Sequence, residues 1–272
     1  MDTIKKMQFL SDMQLPCYDD GKKFTTTSKL DKIDDILAYT PYNKVSSNLY
    51  RLYSKMPLNP FVPGYGIPDE LKDVVVISTH ADFVRNITKP FVSAEKEDVL
   101  RGTFDNSATN AAALYLMTEN LLPDNVLVAF TGNEEHGMRG AKRLAYDLGT
   151  NLRPRFIALD VTDLGYKTKK SFSIENAFSL SKSELDEVIA IAKETGQQGC
   201  GMVEALPDEA YAYANNGFKC FSLCVPTKGD MHSDSGCLMR ASSYFDYVDM
   251  VGHIASNWHS RTRDNNFGGR YI

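Results

Sequence analysis

From residue 71 onward the chain alternates short apolar runs with helical stretches, and this alternation constrains the fold more than any other feature. Residues 73–78 form a β-branched run, the pattern of a strand covered on both faces. Residues 109–119 are rich in alanine and leucine and read as a helix capped by Ser107 or Thr109. Residues 125–131 read as a second strand, 140–148 as a helix, 155–161 as a third strand and 171–175 as a further short one. Residues 181–195 are amphipathic at helical spacing, with Ser181 as cap, Glu184 completing a capping box and Gly196 as the stop. A short helix over 207–216, with proline at its first position, precedes a fourth core strand over 219–225, and a helix over 242–259 follows. This order specifies an α/β fold: a mostly parallel central sheet with helices on both faces.

Before residue 71 the pattern differs. Leu30, Ile33, Ile36 and Leu37 recur at helical spacing, residues 48–55 alternate like an edge strand, and Pro57, Pro60, Pro63, Gly64, Gly66 and Pro68 mark a surface loop. Residues 1–272 read as a single domain, with residues 1–70 an N-terminal helical and edge-strand extension packed on it.

Charge and composition exclude whole classes of function. Thirty lysines and arginines against 35 acidic residues leave a net charge of −5 with no basic tract, so no nucleic-acid partner is expected. The longest apolar runs are too short to span a bilayer, so no membrane partner is expected either. The first 13 residues carry Asp2, Lys5, Lys6 and Asp12 and lack a secretory core. Five cysteines, an odd number, do not suit a secreted disulfide framework, which points to a reducing, cytoplasmic setting.

In open sheets of this class ligands bind beyond the carboxyl ends of the strands. The first strand is followed by Thr79-His80-Ala81-Asp82, and Asp105-Asn106 precedes the helix over 109–119. The second strand is followed by Gly132-Asn133-Glu134-Glu135-His136-Gly137, and the third ends in Asp160-Val161-Thr162. The fourth is followed by Pro226-Thr227-Lys228-Gly229-Asp230-Met231-His232-Ser233. None of these turns carries a phosphate-cradling glycine motif. Singly each residue has an ordinary reading: a loop histidine, a solvated acidic pair, a helix cap. Together they place imidazoles and carboxylates at one sheet edge, where a borderline divalent cation such as zinc would relieve the repulsion among the carboxylates.

In that order, His80-Ala81-Asp82, Asp105-Asn106, Glu134-Glu135-His136-Gly137-Met138-Arg139-Gly140-Ala141, Asp160-Val161-Thr162 and the segment 226–233 resemble the signature segments of the co-catalytic zinc exopeptidase superfamily. Within it the chain is most similar to the glutamyl and deblocking (tetrahedral) aminopeptidase family, over roughly residues 70–260. The resemblance implies two divalent metal ions, zinc first, with cobalt or manganese fitting the same donors. It implies that Asp105 bridges them, that His80 and Asp160 complete one site, and that Glu135 and His232 complete the other. Glu134 would be the general base that takes a proton from the attacking water, and Asp82 would orient His80 through its other ring nitrogen. The implied activity is removal of N-terminal residues from peptides, and the Asp105–Asn106 peptide bond is expected to be cis.

The chain also departs from that family. Only 24 residues, 81–104, separate His80 from Asp105, where the family carries an inserted domain used in assembly. A tetrahedral dodecamer is therefore not expected, a smaller homo-oligomer remains open, and the site has less cover against longer peptides. Asn106 stands where an acidic residue often follows the bridging aspartate. Two other readings remain: a metal-dependent carboxypeptidase or N-acyl amino acid deacylase on the same scaffold, usually with an added lid domain, and a non-catalytic binding protein on a degenerate peptidase fold.

Several residues are set aside. His136 reads as a rim residue, and His253 and His259, six apart on a helix, share no face. Cys220, Cys224 and Cys237 with His232 would make an alternative structural zinc site, but cysteines in an apolar run are ordinarily packing residues. Tyr211 and Tyr213 read as packing residues, and Arg139 and Lys228 as surface cations or contacts for a substrate terminus.

Overall fold

The computed structural model describes residues 2–19, 24–46, 50–55, 74–148 and 154–258. In chain order they form α1 (Thr3–Asp12), β1 (Tyr18–Asp19), β2 (Phe24–Thr26), α2 (Ser28–Leu37), β3 (Asn43–Ser46), β4 (Tyr50–Ser54), β5 (Val75–His80), β6 (Val92–Lys96), β7 (Val99–Gly102) and α3 (Ser107–Thr118). They continue with β8 (Val126–Thr131), α4 (Arg139–Leu148), β9 (Arg155–Thr162), β10 (Phe172–Glu175), α5 (Lys182–Lys193), β11 (Gly199–Met202), α6 (Glu209–Ala214), β12 (Lys219–Lys228), β13 (Cys237–Arg240) and α7 (Ala241–Asn257). The proline-rich run 57–68 and His259 lie outside the described residues.

Among the described residues eleven strands make one mixed sheet, nine of them in the order β3-β4-β8-β5-β9-β12-β13-β7-β6 and two, β10 and β11, branching from β12. Its centre, β8-β5-β9-β12, is parallel, and antiparallel strands flank it on both sides. The long β12 serves two neighbours along one edge: residues 222–224 pair with β10, and residues 227–228 pair with β13. β11 extends the sheet beyond β10.

Strand alternation divides the interior into two cores. Val75, Ile77, Val128, Phe130, Ile157, Leu159, Leu223 and Val225 face α3, α5 and α7. Val76, Leu127, Ala129, Phe156, Ala158 and Cys220 face α4 and α6. Burial on both faces explains why these strands read as unbroken apolar runs. α3 is buried on all sides, from Ser107 to Met117, because α1 covers its outer surface. A helix enclosed this way needs no polar stripe, which accounts for its alanine-rich sequence. α1 is held by Lys6, whose buried ammonium donates to the Phe245 carbonyl at 2.9 Å and to Asp249 Oδ1 at 2.6 Å.

The capping box of α5 is present, with Ser181 and Glu184 exchanging bonds, and Gly196 follows at φ +73°. Other boundaries differ from the sequence reading. β4 is an interior strand, because β3 pairs along its outer side. α6 starts at Glu209 with Asp208 as cap, so Pro207 precedes the helix. α3 has Asn106 at its cap position, with no side-chain capping bond. β10 is antiparallel to β12. The residues between His80 and Asp105 form a loop and the β6–β7 hairpin, and no inserted domain.

That hairpin joins the sheet through β13 and packs tightly against the loop that follows β12. Gly236, at φ +63°, lies so close to β7 that a Cβ there would stand 2.5 Å from the Gly102 carbonyl oxygen. A side chain is therefore excluded by both conformation and space. We expect Gly236→Ala to destabilise the protein by about 1–3 kcal/mol, read as a lower urea midpoint with an unchanged slope.

Candidate metal centre

The parallel strands deliver their carboxyl ends to one place. β5 ends in His80, which stands beside Thr131 at the end of β8, and Thr79 pairs with Leu159 of β9, one residue before Asp160. On the α4/α6 face the apolar pattern thus gives way to Ser78, His80, Thr131 and Asp160 as the strands approach their ends. β8 continues into a tight turn with positive φ at Asn133, Gly137 and Met138, closed by Gly140 N–H to the Gly132 carbonyl at 2.8 Å. That turn carries Glu134 and Glu135.

α3 brings Asp105 from the opposite face. The Asp105–Asn106 peptide bond is cis. The Asn106 amide donates to the Leu159 carbonyl at 2.8 Å, and the Asn110 amide donates to the His80 carbonyl at 2.8 Å and to Thr79 Oγ1 at 2.7 Å. These bonds fasten the start of α3 to β5 and β9. They also give a reason for asparagine at position 106: a carboxylate there has no N–H to offer Leu159.

Asp105 lies at the middle of the group. Its Oδ1 is 3.1 Å from His80 Nε2 and its Oδ2 is 3.0 Å from His232 Nε2. Asp160 Oδ1 is 3.8 Å from His80 Nε2, and Glu135 Oε1 is 3.7 Å from His232 Nε2. On the far side of His80, Nδ1 faces the Asp82 carbonyl at 3.2 Å, with the Asp82 carboxylate at 3.5 Å. That carboxylate instead accepts the backbone N–H of Glu134 and of Glu135, each at 3.4 Å. Asp82 therefore ties the two site loops together, and its backbone oxygen is the nearer acceptor for His80.

Crowding shows in the proton affinities. Burial pushes Glu134 up to about 9, with Asp160 adding to the shift and His80 opposing it. Burial likewise pushes Glu135 up to about 8, with Asp105 adding to it. Asp160 is raised, chiefly by burial. For Asp105 burial is outweighed by His232 and His80, which hold its carboxyl well below the usual range. For His80 burial opposes the charge, but Asp105, Asp160 and Asp82 overcome it and raise the ring well above its ordinary value. The bond to Asp105 lifts His232 to about 9. Without a cation, then, the cluster relieves its repulsion by holding protons.

The residues fit a divalent cation. Ligand atoms of His80, Asp105 and Glu135 lie within 4.8 Å of one another, the one such group among the described residues. Asp105 Oδ1 is buried without a hydrogen-bond partner, with His80 Nε2 3.1 Å away. A buried carboxylate oxygen left in that state is what a cation would satisfy, and imidazole nitrogen with carboxylate oxygen suits zinc.

The residues set aside lie elsewhere. Cys220, Cys224 and Cys237 are buried free thiols and belong to no ligand group with His232 among the described residues. Tyr213 stacks on Phe156 at 3.8 Å between centroids, and Tyr211 packs against Phe178. His253 faces the Ile191 carbonyl and Glu194. His136, Arg139 and Lys228 are exposed.

Two features escape a reading of motifs. Lys29 is fully buried, its ammonium 3.7 Å from the centre of the Phe83 ring with no hydrogen-bond partner, and burial lowers it to about 8. Glu209 accepts from Ser78 Oγ at 2.7 Å and from Thr131 Oγ1, while Asp208 accepts from Ala210 N–H at 2.8 Å. The available signal was the pair of hydroxyls, Ser78 and Thr131, in otherwise apolar strands: buried hydroxyls require a polar partner.

The sequence matches the model of peptidase family M20/M25/M40 over residues 76–257. No curated protein sequence matches the chain. Among solved structures, an aminopeptidase from the archaeon Desulfurococcus kamchatkensis superposes with a TM-score of 0.73 at 11% identity, covering 98% of this chain and 99% of that one. The TET1 peptidase of Pyrococcus horikoshii, which can assemble into a tetrahedron or a large octahedral shell, gives 0.62 at 16% identity, covering 94% of this chain and 100% of that one. A zinc aminopeptidase from Bacillus subtilis gives 0.56 at 14% identity, covering 75% of this chain and 48% of that one. At these identities the likeness is one of fold. No helix among the described residues is long and apolar enough to cross a membrane.

The acids beneath the site make a prediction about stability. Burial raises Glu209 from its ordinary 4.5 to about 7, and Asp208 from 3.8 to about 7. A raised carboxyl binds more protons in the folded state, so its contribution is complete below the unfolded value and is lost as pH rises through the folded one. Between pH 4.5 and 7 the metal-free protein is expected to lose on the order of 3 kcal/mol through Glu209. Glu209→Gln should remove that part of the slope, read by urea unfolding of chelator-treated protein across this range. A slope identical to wild type would show that Glu209 does not hold a proton there.

Proposed function

The chain belongs to peptidase family M20/M25/M40, and from that premise we propose that it is a dinuclear metal-dependent aminopeptidase. The observation that carries the reading is the placement of Asp105, one carboxylate oxygen facing His80 and the other facing His232. In this proposal His80, Asp105, Glu135, Asp160 and His232 would hold two cations, with Asp105 shared between the His80–Asp160 side and the Glu135–His232 side. Zinc is the first choice on the donor set, and a zinc aminopeptidase is among the structural neighbours. When bound, the pair supplies Lewis-acid chemistry at the scissile carbonyl and stabilises the negative charge that develops there.

The protein's own groups do the rest. Glu134, on the same turn as Glu135, takes the proton of the attacking water on its carboxylate and returns it to the leaving amine. Asp82 holds the Glu134 and Glu135 backbone in place and its carbonyl fixes the tautomer of His80. The substrate proposed is a peptide with a free N-terminus. The described residues are taken up by the eleven-stranded sheet, its helices and the β1–β2 pair, which leaves no separate lid domain among them and supports this over a carboxypeptidase or deacylase reading.

Purified protein should carry about two zinc equivalents and release p-nitroaniline from amino-acid p-nitroanilides. Chelation should abolish turnover and zinc should restore it. Glu134→Gln should lower kcat by about 10²–10⁴-fold while elemental analysis finds the metal content unchanged. Cleavage of N-acetyl amino acids without cleavage of free-amine peptides would replace the aminopeptidase reading with the deacylase one. Unchanged turnover in Glu134→Gln would remove Glu134 from the base role.

A further inference from the structure

Glu209 opens α6, two residues after Pro207 and well away in sequence from every residue assigned to the metal centre. It is 2% exposed, and Ser78, Thr131 and Tyr213 around it are fully buried. One carboxylate oxygen accepts the Ser78 hydroxyl of β5 at 2.7 Å, and the other accepts the Thr131 hydroxyl of β8. Ser78 Oγ also lies 2.5 Å from Tyr213 Oη. Since Ser78 spends its one proton on Glu209, Tyr213 is the donor in that contact. The Tyr213 ring is stacked on Phe156 of β9, so a single carboxylate gathers groups resting on three adjacent strands.

The level at which it does so matters. Ser78 shares a strand face with His80 two residues later. Thr131 is the register partner of His80 and stands three residues before Glu134. The grip therefore falls where the α4/α6 core stops being apolar and the site begins. Covering that core would need only an apolar side chain, and a buried carboxylate is the more costly choice. Its return is specific: it accepts two hydroxyls at once, one from each strand that delivers a site residue.

We propose that Glu209 is a positioning residue that clamps the ends of β5 and β8, setting the separation of His80 from the turn carrying Glu134 and Glu135. This rests on the reading of those residues as a metal centre. Such centres require their side chains within about 0.5 Å of the working geometry, and backbone bonds alone, such as Ala81 N–H to the Thr131 carbonyl at 2.9 Å, leave the side-chain level free to shear.

The test compares wild type with Glu209→Leu, which removes both acceptors at similar volume, and Glu209→Gln, whose amide can serve both hydroxyls. Amide hydrogen exchange is measured first, on metal-free protein. Glu209→Leu should speed exchange at residues 79–82 and 131–137 by about tenfold or more relative to α7 and the lower half of β12. Zinc affinity, by competition with a chromophoric chelator, should fall about tenfold or more, and kcat should fall with KM nearly unchanged. Glu209→Gln should restore all three. If Glu209→Leu does not fold, Ser78→Ala removes the β5 leg alone and should speed exchange at 79–82 only. Uniform acceleration across the sheet, or unchanged exchange and zinc affinity, overturns the clamp and leaves Glu209 a general stabiliser. Failure of wild type to bind zinc would defeat the metal-centre reading instead, and the exchange pattern of the metal-free protein still decides the clamp.

Discussion

The candidate site answers to one constraint, the crowding of Asp82, Asp105, Glu134, Glu135 and Asp160, five carboxylates gathered where water is scarce. They arrive on four separate segments, with Glu134 and Glu135 sharing one turn, and each must be held against its neighbours by something other than its own preference. The parallel strands set the height, since His80 and Asp160 occupy matching levels on adjacent strands. The enclosed helix α3 brings Asp105 in from the other side and is fastened by Asn106 and Asn110 to the same strand ends. Burial and the neighbouring carboxylates raise the proton affinity of Glu134 and Glu135, which is in keeping with the proposed placement of positive charge among them.

The hairpin between His80 and Asp105 shows how little the fold needs at that point. β7 pairs onto β13 with β6 outside it, and β13 in turn pairs with the end of β12, just before the loop that carries His232. The segment therefore supports His232 from below instead of covering it, and half of the His232 side chain remains exposed. By contrast His80 and Asp82 are almost wholly buried. One side of the candidate centre is thus enclosed, and the other faces solvent.

The strands that carry the candidate site were legible because burial on two faces writes a continuous apolar run; His80, Glu134, Glu135, Asp160 and His232 stand out as candidates because each lies at or after the end of such a run, and Asp105 because it precedes a helix. Features that depend on pairing between distant segments were not. β13 and β11 are four-residue strands, and Gly199, Gly201 and Gly236 within or beside them reflect close approach to Phe172, Ile174 and Gly102 rather than local preference. β4 alternates like an edge strand, yet β3 covers it. Pro207 suggested a helix start that Asp208 takes instead, because an accepting side chain at the cap satisfies a backbone N–H that proline lacks the means to serve. Lys6 and Lys29 look like the polar sides of amphipathic helices, and both are buried. A lysine pairs inward when a carboxylate or aromatic ring arrives from elsewhere in the chain, and no local pattern announces that.

Lys29 then closes the electrostatic argument. Its ammonium has no hydrogen bond, a state that ordinarily costs enough to drive the group neutral. Here burial does lower its proton affinity, while Cys17, Asp82 and Asp105 pull the other way. The Phe83 ring beneath it adds a cation–π contact at 3.7 Å, and Phe83 directly follows Asp82 in the chain. With two divalent cations in place as proposed, four positive charges would face the five carboxylates, and the lysine behind them supplies the fifth. The N-terminal helix α2 thus bears on the site through Lys29: the ring its ammonium covers directly follows Asp82, whose carboxylate accepts the N–H groups of Glu134 and Glu135.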